Sequence, residues 1–391
     1  MCPLDFTEQT GYFQAATRIV FGTGALRTLP EELRRLRVTA VLLVTDAGLR
    51  RAGMVERVES VLTESGVAVW VFDGVEANPS VETVNEALGW YRSRGCDGLV
   101  ALGGGSPIDT AKAAGVLAAN EGALQDFVGL NKFSRPLPPL IAVPTTVGTG
   151  SEATTFAVIT DHAQRKKVVV GSRLLSPAVA VLDPELTMTL PSKLVASTGM
   201  DALTHAVESY ITTMASDFTD ALALHAVRLL SAHIEQAAGP QRDVRVMGHM
   251  LHGSCLAGMA FSYGRTALVH GMAHPLGAYY DVPHGVANAV LLPHVMRFNR
   301  PACGGRLADL ARAMGLVPGF AVEEGDAADA FVEGLFALAR RLGIPERLTD
   351  VGVTEEFIPQ MAVDAAQSGN AQVNPRRPTV AEVEGLYRSA L

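Results

Sequence analysis

The chain has 391 residues, a length that implies two or three domains rather than one small core. Hydrophobic residues make up 48% of it and charged residues 18%, a balance that excludes a disordered chain. A formal net charge of -8 speaks against nucleic-acid binding, and the densest basic run, Arg165-Lys166-Lys167, is too short to support it.

Four cysteines (Cys2, Cys96, Cys255, Cys303) are scattered without a CxxC pair. They fit neither a disulfide framework nor a thiolate zinc site, and they suit a reducing cytoplasm. The N-terminal MCPLDFTEQT has no basic segment followed by an apolar run, so no signal peptide is expected. No apolar stretch has the length needed to span a bilayer. The expectation is a soluble cytoplasmic protein with a small-molecule partner, no nucleic acid and no membrane.

In chain order, AVLLVTD (40–46) predicts a buried strand and GMVERVESVLTESG (53–66) the helix after it. VAVWVFDG (67–74) is again strand-like, followed by a helix over 80–95. DGLVALGGGSPIDTAKAAGVLA (97–118) reads as strand, glycine turn and helix; LPPLIAVPTT (137–146) and PAVAVLDPEL (177–186) add strands. This alternation predicts βαβ units and a mostly parallel sheet with helices on both faces. From about 192 onward the chain turns Ala- and Leu-rich with helical periodicity, as over 201–237. The boundary falls near 187–192, giving an α/β domain over 1–190 and an all-helical domain over 191–391.

Two turns at strand ends are candidate ligand sites. GGGS (103–106) lies between a strand and a helix, where glycines admit a phosphate closely and the helix N-terminus offers free N–H groups. It is neither GxGxxG nor a Walker A loop, and such a turn can also be only a tight connection. PTTVGTGSEAT (144–154) offers four Thr hydroxyls and one Ser, and ligands of open α/β sheets bind at such strand ends. Asp46 ends its strand and can accept hydrogen bonds from a ribose, which would favour NAD over NADP. From position alone, capping the next helix is the stronger reading.

Histidines crowd one stretch, LVHGMAHPLGAYYDVPHGVANAVLLPHV (268–295), which holds His270, His274, His284 and His294. Asp201 and His205 are four apart and share one helix face, either as half of a metal site or as a simple hydrogen-bonded pair. His270 and His274 have the same spacing, which on geometry makes them the second pair. Pro275 and Pro283 interrupt the run, so His284 begins a separate helix, and His294, ahead of a new loop, is read as structural. An Asp/His site without cysteine suits Fe(II), Zn(II) or Mn(II), and an incompletely filled one acts as a Lewis acid on a carbonyl or alcohol.

Taken together these motifs carry a resemblance. FGTGALRTLP, GGGSPIDTAK, PTTVGTGSE, DPELT, GMDALTHAVE, HGMAHPLG, PHGVANAVLLP and the Asn374–Arg376 NPR run in order along nearly the whole chain. The sequence resembles the iron-containing (group III) alcohol dehydrogenases, with their dehydroquinate synthase-like fold. The resemblance implies a dinucleotide-binding domain, a helical domain, and a cleft between them holding NAD(H) and a metal, Fe(II) with Zn(II) as the alternative. It places the metal ligands on Asp201, His205, His270 and His284, and gives His274 a proton-carrying role near the substrate. It assigns Asp46 to the adenosine ribose, Asn78 to the nicotinamide side, and Gly104, Gly105 and Ser106 to the pyrophosphate. Thr145, Thr146 and Thr149 would line the cofactor cleft, Lys167 would contact a ribose, and the protein would be a homodimer or higher homo-oligomer.

One segment departs from the family's pattern. Before His270, where an Asn and small residues are common, this chain reads SYGRTALVH. The segment approaches the substrate, together with Phe261, so Arg265 and Thr266 are candidate contacts, and Arg265 would suit a carboxylate- or phosphonate-bearing aldehyde. A surface role for Arg265 is the competing reading. Phe156, where some relatives carry a polar residue, points to a more apolar pocket. The resulting expectation is an NAD- and metal-dependent alcohol dehydrogenase or aldehyde reductase. The alternatives are reduction of an anionic aldehyde, a metal-dependent lyase on the same scaffold, and a non-catalytic nucleotide-binding protein.

Overall fold

The computed structural model describes residues 10–64, 66–163 and 166–391. Cys2, Arg165 and all but the last residue of the N-terminal stretch read for a signal peptide lie outside the described residues. The chain divides into two compact units, Gln14–Thr189, and Leu190–Leu391 together with residues 10–13. Phe13 accounts for that last grouping. Its ring stacks on Phe218 at 5.4 Å and tilts against Tyr263 at 5.1 Å, so these residues go with the helical unit rather than with the 1–190 span expected.

The strands of the first unit are β1 (Arg18–Phe21), β2 (Ala40–Val44), β3 (Ala68–Phe72), β4 (Gly98–Gly103), β5 (Gly129–Leu130), β6 (Leu140–Pro144), β7 (Phe156–Asp161), β8 (Lys166–Gly171) and β9 (Val179–Leu182). Six form one parallel sheet in the order β1-β9-β6-β4-β2-β3, and β5-β8-β7 make a second, smaller one. Helices α1 (Leu29–Leu36), α2 (Ala47–Arg51), α3 (Met54–Glu64), α4 (Val81–Ser93) and α5 (Gly105–Ala119) accompany them. The pleat divides the central strands between two cores. Leu42, Val44, Leu99, Ala101, Leu140 and Ala142 face the core containing residues of α4 and α5. Their alternates Val41, Leu43, Val100, Leu102, Ile141 and Val143 face the core containing residues of α1 and α3. From β2 the chain moves out to the edge at β3 and returns to β4 on the other side of β2. The carboxyl ends of β2, β4 and β6 therefore lie side by side at a reversal of strand order, where open α/β sheets bind ligands.

One buried lysine holds the segment that follows β6. Lys112 of α5 is fully buried, and its Nζ donates to the carbonyls of Ser151 (2.7 Å), Thr154 (2.9 Å) and Phe156 (2.8 Å). Three carbonyls require three N–H donors, which only the ammonium has, although burial pulls Lys112 down to about 8. One turn earlier, Asp109 accepts from Ser151 Oγ (2.5 Å) and Val158 N (2.9 Å). α5 thus anchors the segment that follows β6.

In the second unit the helices are α6 (Ser192–Ile211), α7 (Asp217–Ala238), α8 (Val244–Gly264), α9 (Leu268–Tyr280), α10 (His284–Ala313), α11 (Glu324–Arg341), α12 (Ile358–Gln367) and α13 (Val380–Ser389). The helical run expected over 201–237 is two helices, because Thr212 leaves the helix to donate its hydroxyl to Gly264 O (2.6 Å) and Ser216 caps α7. α6 packs against α7, α8 and α10, and is buried on every side from Gly199 to Ile211. Its carboxylates and imidazole therefore sit in the interior, where such groups need partners.

Two expectations are corrected. Pro275 does not interrupt its run: it lies inside α9, which gives up one backbone hydrogen bond and continues because α10 and α12 pack against it. His294 does not precede a loop, since α10 continues through Pro293 and Pro301 and kinks only at Cys303 (φ -142°, ψ 33°).

Lys112→Met should lower unfolding stability by about 3–5 kcal/mol, because it strands three carbonyls and the Asp109 carboxylate in the interior. Denaturant melts of the two proteins check this; an unchanged midpoint would mean that the lysine does not hold the segment.

Candidate metal centre and nucleotide-binding turns

In the helical unit three side chains from three helices converge. Asp201 Oδ1, His270 Nε2 and His284 Nε2 belong to α6, α9 and α10, and their ligand atoms lie within 4.8 Å of one another. Each imidazole Nε2 is 3.8 Å from Asp201 Oδ1. Asn288, one turn after His284, directs its Nδ2 at all three: 2.6 Å to Asp201 Oδ1, 3.2 Å to His270 Nε2 and 3.1 Å to His284 Nε2. An amide nitrogen has two hydrogens, so three converging acceptors exceed what it can satisfy. Asn288 Oδ1 is buried without a hydrogen-bond partner. One carboxylate oxygen and two imidazole nitrogens with lone pairs aimed at one region fit a divalent cation, and the donor chemistry admits Fe(II) and Zn(II) alike.

Close helix approach makes the convergence possible. A Cβ on Gly285 would come 2.5 Å from the carbonyl oxygen of Ser197, so α10 begins directly against the α6 backbone one turn before Asp201. Glycine is required there, and it sets His284 opposite Asp201.

Burial is graded across the cluster. The side chains of His270 and Asp201 are 4% and 7% exposed and that of His284 34%, so the group opens to solvent on the His284 side. Burial holds His270 well below the usual histidine range, reinforced by the neighbouring His205, His284 and His274, which keeps its ring neutral. His274, one turn beyond His270, stacks on His284 at 5.6 Å between centroids on the open side. His205 is stacked between Phe261 (4.4 Å) and His270 (4.5 Å) rather than among the three converging ligand atoms.

The segment between α8 and α9 is tightly held. Arg265 has a left-handed backbone (φ 66°), and its terminal nitrogen approaches Gly369. Arg265 and Thr266 are half-buried. Glu208, which the sequence reading passed over, is fully buried and accepts His270 Nδ1 at 2.6 Å. Burial pushes its carboxyl up to about 8, against the pull of three backbone N–H groups. The available signals were spacing alone: Glu208 continues the Asp201–His205 helix face as i+7 and i+3, and Asn288 is i+4 from His284.

In the α/β unit the two polar turns pack on each other. Added Cβ atoms on Gly104 and Gly105 would lie 3.0 Å from Thr146 Cγ2 and 3.2 Å from Thr149 Cγ2, so the glycines leave space that a side chain would fill. Gly104 caps α5 without a side-chain hydrogen bond, and no acidic residue occupies the first turn, which begins Gly105-Ser106. Its N–H groups and positive dipole end suit a phosphate. Thr145 N donates to Gly103 O (2.9 Å), joining the turns, and Thr146 Oγ1 is buried without a partner. These features fit a dinucleotide.

The remaining candidates in this unit fall at strand ends and on the small sheet. Asp46 caps α2, its Oδ1 accepting from Gly48 N (2.8 Å) and Leu49 N (3.0 Å), while Oδ2 takes no part in the cap. Asn78 has a left-handed backbone (φ 57°) and accepts Lys167 Nζ at 2.9 Å, so the structure joins two residues far apart in sequence. Phe156 opens β7 and packs over Gly171.

Comparison with known proteins places these features in one family. Residues 16–184 match iron-containing alcohol dehydrogenase, and 195–391 match the C-terminal region of the Fe-containing alcohol dehydrogenase family. The 1,3-propanediol dehydrogenase of Klebsiella pneumoniae is 42% identical over 95% of this chain and 96% of its own. The NAD-dependent methanol dehydrogenase of Bacillus methanolicus is 37% identical over 95% and 97%. A crystal structure of 1,3-propanediol oxidoreductase superposes with a TM-score of 0.95 at 41% identity, covering 98% of this chain and all of that one.

His294 stands apart from the cluster: its Nδ1 is 3.2 Å from Ser389 Oγ and its ring meets the edge of Phe336. Burial, helped by Arg297, lowers it from 6.5 to about 4. As pH falls from 6.5 towards 4 the unfolded state takes up this proton first, so stability is full above 6.5 and lost through that window. His294→Gln should flatten this acid limb in denaturant melts at pH 7 and pH 5 and leave metal affinity at the wild-type value. A drop in affinity would assign His294 to the site.

Proposed function

Because the chain belongs to the iron-containing alcohol dehydrogenase family, we propose that it interconverts small alcohols and aldehydes with NAD(H), using Asp201, His205, His270 and His284 to hold Fe(II), or Zn(II) in its place. The observation that carries this is the convergence of Asp201, His270 and His284 on a point that the Asn288 amide alone cannot satisfy. His205 supplies the fourth ligand, its ring already stacked on His270.

A cation held there would supply Lewis acidity, and a nicotinamide cofactor bound at the glycine turn would supply the hydride chemistry. The chain's own residues bind and orient. Oδ2 of Asp46 accepts from the adenosine ribose while Oδ1 keeps its cap, so the two readings of this residue are compatible. The N–H groups of Gly104, Gly105 and Ser106 receive the pyrophosphate, with Thr145, Thr146 and Thr149 alongside. Lys167 and Asn78, already hydrogen-bonded, contact the second ribose and the nicotinamide side. His274, half-buried and stacked on the solvent-facing His284, carries the alcohol proton between substrate and water. Phe261 and Thr266, beside the metal ligands in the helical unit, are the candidate substrate contacts there, and Phe156 is the candidate in the α/β unit.

A second reading is favoured by one observation: Arg265 is half-buried and has no ion-pair partner among the described residues, so its charge is available to an anionic aldehyde. Its compartment would be the cytoplasm and its assembly a homodimer or higher homo-oligomer. Cys96 and Cys303 are free and buried, which supports a reducing compartment, and the family resemblance supports the oligomer. Among the described residues no helix is long and apolar enough to cross a membrane.

The test is NADH oxidation by anaerobically iron-loaded enzyme over neutral and anionic aldehydes. Chelation should abolish turnover, and Asp201→Asn should cut kcat/KM by more than about 100-fold, beyond what changes outside the ligand set cost. Full turnover after chelation would overturn the assignment. Arg265→Ala should lower activity selectively on carboxylate or phosphonate aldehydes if the second reading holds; an even profile discards it.

A further inference from the structure

Glu208 lies at the centre of a hydrogen-bond pattern that the reaction above does not use. It sits on α6, three residues after His205 and seven after Asp201, fully out of solvent. Its Oε1 accepts Val269 N at 2.6 Å. Its Oε2 accepts Ala267 N at 2.9 Å, His270 N at 3.4 Å and His270 Nδ1 at 2.6 Å. The backbone N–H groups of Ala267, Val269 and His270 all donate to this carboxyl, and His270 Nδ1 lies at hydrogen-bond distance from Oε2, so the group faces both the helix start and the ring.

Two consequences follow from this placement. α9 begins at Ala267 without a side-chain cap of its own, so Glu208 caps it from another helix and fixes where His270 starts. By receiving Nδ1–H, Glu208 also leaves the Nε2 lone pair of His270 free, on the side facing Asp201 and His284.

We propose that Glu208 is a positioning residue of the metal centre, holding the His270 ring by its Nδ1 so that Nε2 faces Asp201 and His284. The inference rests on reading the Asp/His cluster as the metal site. A carboxylate behind a ligating histidine raises its basicity and holds its ring, and losing such a partner costs about 10–100-fold in metal affinity.

In Glu208→Gln the amide hydrogens face N–H donors or force the His270 proton onto Nε2. Zn(II) affinity of the full-length protein, measured by competition with a chromophoric chelator, should fall about 10–100-fold, with Glu208→Asp intermediate. The visible spectrum of the Co(II)-loaded protein should change as well, which a role in helix capping alone would not produce. Wild-type Zn(II) affinity and an unaltered Co(II) spectrum in folded Glu208→Gln would overturn the proposal, leaving Glu208 a cap. Should that variant fail to fold, Glu208→Asp decides: an affinity equal to wild type overturns it. Asp201→Asn separates the two readings. If it loses affinity while the Glu208 variants do not, only the positioning role fails; if wild type binds no Zn(II), or Asp201→Asn binds as wild type does, the metal site itself fails.

Discussion

Three electron-pair donors aimed at one region repel each other unless a cation lies among them, and the helical unit is built around that constraint. Asp201, His270 and His284 come from three helices, and each helix is pinned where it contributes. α6 is buried on every side, α9 starts from the Glu208 carboxylate, and α10 abuts α6 through Gly285. In this geometry the Asn288 amide takes part of the load by donating toward all three. Such preorganisation lowers the cost of assembling the site when the ion arrives. The exposure is graded, closed at His270 and open at His284, where His274 stacks.

The α/β unit meets a different demand, which is to bring backbone close to a polyanion. Its strands place the turns after β4 and β6 side by side, and the glycines of one turn fit against the threonines of the other. Lys112 and Asp109 fasten the second turn from below by backbone contacts, so the ligand-facing side needs no bulky support. A buried cation and anion are costly alone; close enough to attract each other and each hydrogen-bonded to the same segment, they are tolerable.

Much of this was legible in the sequence, for physical reasons that differ by element. The β-branched runs of β2, β4 and β6 are buried on both faces and carry their identity in composition, as does the Ala- and Leu-rich texture after 192. The glycine turn announced itself because few other residues allow such close approach. Helical spacing, by contrast, paired His270 with His274, while the structure joins His270 to His284 and Asp201 across helices. Local periodicity carries no information about which helices pack. Pro275 and the loop expected after His294 misled for the same reason, since tertiary packing retained helices that local rules would end. The family resemblance, not spacing, joined His270 to His284 and Asp201, and it added His205, which in the structure stacks beside that cluster. Glu208 and Asn288 escaped notice because an acidic or amide residue on a helix is ordinary until the facing helix is known. Asp46 was read as either a cap or a ribose contact, and the geometry leaves one oxygen for each.

The central claim is that one ion binds at the meeting point of α6, α9 and α10. Anomalous diffraction at the iron edge from crystals of anaerobically loaded enzyme tests it most directly. The account predicts a single peak bonded to Asp201, His270 and His284, closed by His205, with His270 Nδ1 still on Glu208. A peak elsewhere in the chain, or none at full iron loading, would contradict it.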